Sequence, residues 1–312
     1  VALIVAAAVT LGLTPLAARL AHALGVVDRP GELKVQTRPV AYLGGLAIFA
    51  GMVGPVAGTR VSLVFPLGMA LILGLADDIT NLSARARLAG EVGIGVTAVV
   101  VLPGSPTVFG AITVVITVVA LLNAINLLDG LDGLASSVGA IAALGFACTL
   151  AAPERSVALA LGGALIGFLA WNRPPAHIYA GDAGSYLIGT ALAVLLCLTV
   201  TSSDGLAPAA GALLFVGVPV ADTTVAIVRR QRAGRPLFEG DRGHVYDQLV
   251  DRGWAPARVT IAAAAAQGLL VAVGLGAGSL AGPQAVAVVG AVIAVVGVTV
   301  LWAFTSPTSW VP

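Results

Sequence analysis

The sequence predicts an all-α integral membrane protein of about eleven transmembrane helices, forming a single polytopic domain over residues 1–312. Three observations lead there. First, 58% of the residues are hydrophobic and only 10% charged, whereas soluble domains are about 25% charged. Second, apolar runs close to the ~20 residues needed to cross hydrocarbon recur along the chain between short polar breaks. Third, the runs are continuous and rich in Ala, Leu, Val and Gly. A closed β-barrel would instead show short segments alternating in and out, so helices are the membrane-spanning solution here.

The runs cover 1–24, 41–58, 62–76, 86–103, 109–128, 134–151, 156–171, 184–201, 208–228, 258–278 and 285–304. The first could pass for a secretory signal, because Ala21-His22-Ala23 imitates a cleavage site. A signal carries its positive charge ahead of the apolar stretch. Here Arg19, Arg29, Lys34 and Arg38 come at its end or after it, so it reads as a retained span with its N-terminus outside. Cys148 and Cys197 fall inside apolar runs and read as small packing residues, not as a disulfide.

Threading the spans from an outside N-terminus puts the breaks at 25–40, 77–87, 129–133, 172–183 and 229–257, together with the C-terminus, on one side. Of the 16 basic residues, only Arg60 and Arg155 fall on the other. Lys and Arg accumulate in cytoplasmic loops, so the five-loop side is expected to be cytoplasmic. The acids gather there too: Asp28, Glu32, Asp77, Asp78, Asp129, Asp132, Asp182, Asp222, Glu239, Asp241, Asp247 and Asp251, with all three histidines. A transporter or flippase with an acidic cytoplasmic gate is the rival class. Transporters hold their key ionisable groups near the midplane, often between inverted repeats; no repeat is visible, and the acids sit at span ends. An enzyme working at the membrane surface fits better. A net charge of +1 makes no case for nucleic acid as a partner.

The most informative segment runs from Asn123 to Leu134 and contains Asn126, Asp129-Gly130 and Asp132-Gly133. Positions three apart share a helix face, so Asn123, Asn126, Asp129 and Asp132 form a slowly winding polar ladder. A helix end with glycine caps explains one Asp-Gly; it does not explain two with two Asn in phase. Asp77-Asp78 closes the third run, and adjacent helical residues diverge by about 100°, which predicts different tasks for the two carboxylates. Arg85 and Arg87 follow closely enough to hold phosphate. In the segment from Asn172 to Ser185, Pro174 and Pro175 forbid a continuous helix, while Gly181 and Gly184 allow tight backbone around Asp182. So much negative charge in one place calls for a cation. Oxygen-only donors favour a hard ion that takes one or two carboxylates plus substrate phosphates, hence Mg²⁺ with a diphosphate, with Mn²⁺ as a substitute. In the last loop, Arg242, His244 and Tyr246 form a further candidate site, and Arg229, Arg230 and Arg232 divide between site and lipid headgroups.

In this order, the segments resemble the polyprenyl-phosphate N-acetylhexosamine-1-phosphate transferase family over nearly the whole chain, closer to its WecA- and TagO-like branch than to its MraY-like one. Asp28, Pro30, Lys34 and Gly44-Gly45 match the family's first cytoplasmic loop. The resemblance implies that a polyprenyl phosphate attacks a UDP-N-acetylhexosamine and releases UMP in the first membrane step of a cell-envelope glycan. It implies Asp182 as the principal Mg²⁺ ligand, with Asp78 as a second ligand or catalytic acid. Asp77 becomes a base or lipid-phosphate partner, and Asp129, Asp132 and His244 catalytic groups. Lys34, Asn126 and Asn172 would hold nucleotide or phosphate with Arg85, Arg87 and Arg242, and Tyr179 would stack on uracil. A homodimer is also implied. The sequence departs from the family at Gln36, where a His is usual, and at His244-Val245-Tyr246-Asp247, where the branch has three histidines in four residues. The second departure places modified N-acetylhexosamines beside N-acetylglucosamine as donors.

Overall fold

The computed structural model describes residues 1–28, 39–104, 107–203, 205–235 and 243–305. Lys34 and Arg242, with Pro30 and Gln36, lie outside the described residues. The protein is an all-α membrane protein. Its helices are α1 (Ala2–Leu24), α2 (Gly44–Arg60), α3 (Val64–Thr80), α4 (Ala84–Val101), α5 (Val108–Leu128), α6 (Leu134–Thr149), α7 (Glu154–Asn172), α8 (Gly181–Ser202), α9 (Leu206–Ala212), α10 (Gly217–Arg232), α11 (Val245–Asp251), α12 (Pro256–Gly278) and α13 (Gly282–Thr305). Two dipeptide strands, β1 (Val27–Asp28) and β2 (Val40–Ala41), pair antiparallel.

Each apolar run is helical along most of its length, but the runs and the crossing-length stretches divide differently. Among the described residues, 8 stretches are long and apolar enough to cross a membrane. One of them, Gly44–Thr80, contains two of the runs. A single tight turn at Val61–Leu63 separates α2 from α3. Gly45 of α2 packs on the backbone of Gly184, and Gly74 of α3 on that of Asp182 and Ala183. The start of α2 and the end of α3 therefore return to the same end of α8, making a hairpin. Two further runs lie on helices outside that class. α4 carries Arg85, Arg87 and Glu91, and α6 is an apolar helix of only 16 residues.

Local chemistry sets many of the boundaries. Ser83 and Thr107 cap α4 and α5, accepting from the backbone N–H of Ala86 (3.3 Å) and Gly110 (3.1 Å). Asn81 ends α3 in the left-handed region, with φ 52°. Between α9 and α10 the helix tightens at Leu213–Val216, and the buried amide of Gln267 on α12 serves the freed backbone groups. It donates to the Phe215 carbonyl (2.9 Å) and accepts from the Val218 N–H (3.2 Å). In an apolar surrounding, such a break requires a partner of this kind.

The helices assemble around α8, which is buried along nearly its whole length and packs against α2, α3, α5, α6, α7 and α9. α13 lies at the other extreme, exposed along most of its surface. Gly163 and Gly167 of α7 sit against the backbone of Leu3 and Ala7 of α1, and Gly274 of α12 against that of Gly211 on α9. These small-residue spacings are thus used for close packing within the chain. At the end of the bundle away from the acids, Arg60 pairs with Glu154.

Candidate functional site

Asp77, Asp78, Asp129, Asp132 and Asp182 all come to one end of the bundle, around the start of α8. Asp77 and Asp78 leave α3 in different directions and have different partners. Asp77 is buried; its Oδ1 accepts from the Leu82 N–H (2.8 Å), and its Oδ2 accepts from the Tyr186 hydroxyl (2.9 Å) and the Arg87 guanidinium (3.4 Å). Asp78 accepts from the N–H groups of Asp182 (2.8 Å) and Ala183 (3.1 Å). It therefore caps α8, satisfying donors that a helix start leaves open. Gly181, with φ 70°, makes the approach possible, since a Cβ there would meet the Tyr42 carbonyl and the Asp78 carboxylate.

The ladder at the end of α5 divides its work in the same way. Asn123 donates to Glu91 (2.7 Å), a buried acid on α4. Asn126 donates to Asp182 Oδ1 (2.6 Å) and to Ser185 (3.0 Å), so it orients the acid at the head of α8. Asp129 follows the last turn. Burial, and then the negative charges of Asp182, Asp78 and Asp132, hold its carboxyl well above the usual carboxylate range. Asp132 accepts from the Ala176 N–H (2.8 Å).

Residues 176–180 and the first loop are stitched into one wall. Ala41 bridges Ile178, the Tyr179 N–H donates to the Ala41 carbonyl (2.8 Å), and the N–H groups of Gly44 and Gly45 donate to the Tyr179 and Ala180 carbonyls (3.0 and 2.9 Å). The wall brings Tyr42 and Tyr179 together with ring centroids 5.9 Å apart. Both phenols are pushed up by burial first. After burial, the charge of Asp132 acts most on Tyr179, and Tyr42 feels Asp28, Asp182, Asp78 and Asp129. Asn172 is buried behind the wall, where its Oδ1 accepts from the Gly133 N–H (3.1 Å) and Ser136 (3.0 Å) and its amide donates to the Ile178 carbonyl (3.0 Å). It works as a clasp between α6 and the wall.

Of the arginines after the Asp pair, Arg87 faces the site through Asp77, whereas Arg85 is exposed on the first turn of α4. His244 is buried and joined to Asp222 on α10 (2.7 Å). Sequence reasoning misses Tyr186, Tyr42 and Glu91, and it leaves Asp222 without a partner. Glu91 alone carries a local signal, an acid inside an apolar run; the others matter through partners far away in the chain.

A hard cation fits this donor set. Among the described residues no three His, Cys, Asp or Glu side chains form a ready-made cage; after burial, the charges of Asp182, Asp78 and Asp132 also act on Asp129, and a cation among them would offset that repulsion. That suits an ion held by one or two carboxylates and completed by water and a phosphorylated ligand.

The Glycosyl transferase family 4 profile matches residues 60–200. A Bacillus subtilis protein named probable undecaprenyl-phosphate N-acetylglucosaminyl 1-phosphate transferase is 30% identical over 280 residues, covering 81% of this chain and 77% of its own. The decaprenyl-phosphate N-acetylglucosaminephosphotransferase of Mycobacterium tuberculosis is 33% identical over 300 residues, with 78% and 73% covered. An undecaprenyl-phosphate alpha-N-acetylglucosaminyl 1-phosphate transferase of Thermotoga maritima is 31% identical over 222 residues, with 70% and 71% covered.

Proposed function

Because the chain belongs to glycosyl transferase family 4, among the polyprenyl-phosphate N-acetylglucosamine-1-phosphate transferases, we propose that it transfers an N-acetylhexosamine-1-phosphate from a UDP-sugar to undecaprenyl or decaprenyl phosphate. An oxygen of the lipid phosphate bonds to the phosphorus that bears the sugar. The bond from that phosphorus to the bridging oxygen breaks, and UMP leaves with the electron pair. The observation that carries this reading is the meeting of Asp77, Asp129 and Asp182 at the head of the buried α8, where Asp78 and Asn126 hold the geometry. The reading includes eleven crossings with the acidic end toward the cytoplasm of a bacterial cell, which the distribution of Arg and Lys supports.

Phosphoryl transfer depends mostly on positioning and charge neutralisation with the two oxygens in line. A phosphate monoester has its second pKa near 6, so the lipid phosphate is already largely dianionic at neutral pH. Asp77, held by Tyr186 and Arg87, then orients the incoming group more than it deprotonates it. Asp182, with Asp129 beside it, would hold Mg²⁺, which supplies neutralisation of the diphosphate. Asp78 supports them by fixing the first turn of α8. Tyr179 and Tyr42 form the aromatic wall for the base, and Asn172 keeps that wall in place.

The test is UMP release across a panel of UDP-N-acetylhexosamines with each lipid phosphate. N-acetylglucosamine is the sugar in the relatives' names, and the altered His244 loop makes a deoxy or diamino sugar the donor to set against it. Asp182→Asn should lower turnover at least about 100-fold while the protein remains folded in detergent. Retained turnover with unchanged Mg²⁺ dependence would remove Asp182 as the ligand. Transport without any UMP release would replace the enzyme by a transporter.

A further inference from the structure

A buried pair helps tie the chain after α10 to the acidic site, beside the Thr260 hydroxyl that donates to the Asp132 carbonyl (3.1 Å). Asp222 accepts from the Val245 N–H at Oδ1 (2.7 Å) and faces His244 Nδ1 at Oδ2 (2.7 Å), and both side chains are 4% exposed. A carboxylate only accepts, so Nδ1 carries the hydrogen and Nε2 is the nitrogen left for other work. The His244 ring stacks on Tyr246, with centroids 5.3 Å and planes 8° apart. The Tyr246 hydroxyl donates to the Leu127 carbonyl (3.0 Å), and its ring covers Gly130 so closely that a Cβ there would collide with it. Leu127 and Gly130 lie on either side of Asp129. A continuous set of contacts therefore leads from α10 through His244 and Tyr246 to the corner that carries Asp129.

We propose that Asp222 is a positioning residue for the transfer, fixing the tautomer and ring plane of His244 and, through Tyr246, seating the last loop on the Asp129-Gly130 corner. This role deepens the transferase reading above and rests on it. Capping α11 through Val245 would need a single acceptor. The second oxygen of Asp222 is given to the imidazole, in a buried place where a carboxylate is costly unless it is paired.

Asp222→Asn tests the assignment. The amide keeps the shape and an acceptor for Val245 but offers an N–H to His244 Nδ1, which selects the opposite tautomer. UMP release should lose roughly 10- to 100-fold in kcat, with KM for the UDP-sugar and the melting temperature in detergent unchanged. Combined with His244→Gln, it should lose no more than His244→Gln alone, because residues that act as a unit are not additive. Full kcat in Asp222→Asn, or losses that multiply in the double variant, would overturn the role. Imidazole nitrogen NMR on the wild-type protein covers the case of a variant that does not fold. With 3 histidines in the chain, His244 is assigned by its loss in His244→Gln. A wild-type Nδ1 without hydrogen refutes the pairing. Wild-type protein that shows the Nδ1 hydrogen but releases no UMP refutes the reaction instead.

Discussion

Asp77 and Asp78 show how much one peptide bond can separate two identical side chains. One faces an arginine and a tyrosine, and the other closes the start of a helix. That divergence is legible in the sequence, since consecutive helical positions cannot aim alike. Asp129 carries the residue-scale prediction for pH. Its carboxyl is raised by burial and by Asp182, Asp78 and Asp132, so as pH falls it takes up a proton earlier than an ordinary aspartate would. At the proposed Mg²⁺ site, a proton and the cation would compete for the same negative charge. Activity should therefore decline on the acid side, and more Mg²⁺ should move that decline to lower pH; an acid limb that ignores Mg²⁺ would rule the competition out. The acids and the Asn ladder are legible because polar residues in phase at an apolar helix end have few structural reasons to exist. Asn172 is legible as important but not as a clasp, because its partners Gly133 and Ser136 belong to another helix. Asp222 and Tyr186 resist reading for the same reason: their meaning lies in His244 and Asp77, and no local pattern announces the pairs.

At the scale of elements, the apolar runs translate directly into helices, and the spacing of small residues into close crossings. Gly163 and Gly167 bring α7 onto the backbone of α1. What composition does not reveal is where a run breaks inside. The passage from α9 to α10 looks like one span in the sequence, yet it tightens at Leu213–Val216 and leans on Gln267. Replacing that amide by leucine should leave the Phe215 carbonyl and Val218 N–H without their partner in an apolar setting. The expected loss is about 1–3 kcal/mol, read as a lower melting temperature in detergent. An unchanged Gln267→Leu protein would mean that the break satisfies itself. The short strands are illegible for a different reason: two residues on each side carry no periodicity, and they form because Ala41 meets both Val27 and Ile178.

For the whole molecule, burial divides the helices into an enclosed centre and an exposed rim. α13 belongs to the rim, yet its last carbonyls are gripped from the site side. Gln248 donates to the Phe304 carbonyl (3.1 Å), Arg252 to the Ala303 carbonyl (3.0 Å) while lying over the Phe304 ring, and Arg232 to the Thr305 hydroxyl (2.6 Å). A lipid-facing helix adjusts its tilt to bilayer thickness at a cost of fractions of a kcal/mol per Å, and this grip would pass such an adjustment to α11. Turnover in nanodiscs should change by a few-fold, about what that cost allows, between short and long acyl chains. Arg252→Ala should flatten the response, and identical responses from both proteins would sink the tether. α8 is insulated from all of this, with protein around it along nearly its whole length. No lipid tail can follow it inward. In the proposed reaction the prenyl chain would therefore lie outside α8 and bring its phosphate to the acidic end of the bundle, so chain length beyond the first few isoprene units should leave turnover unchanged.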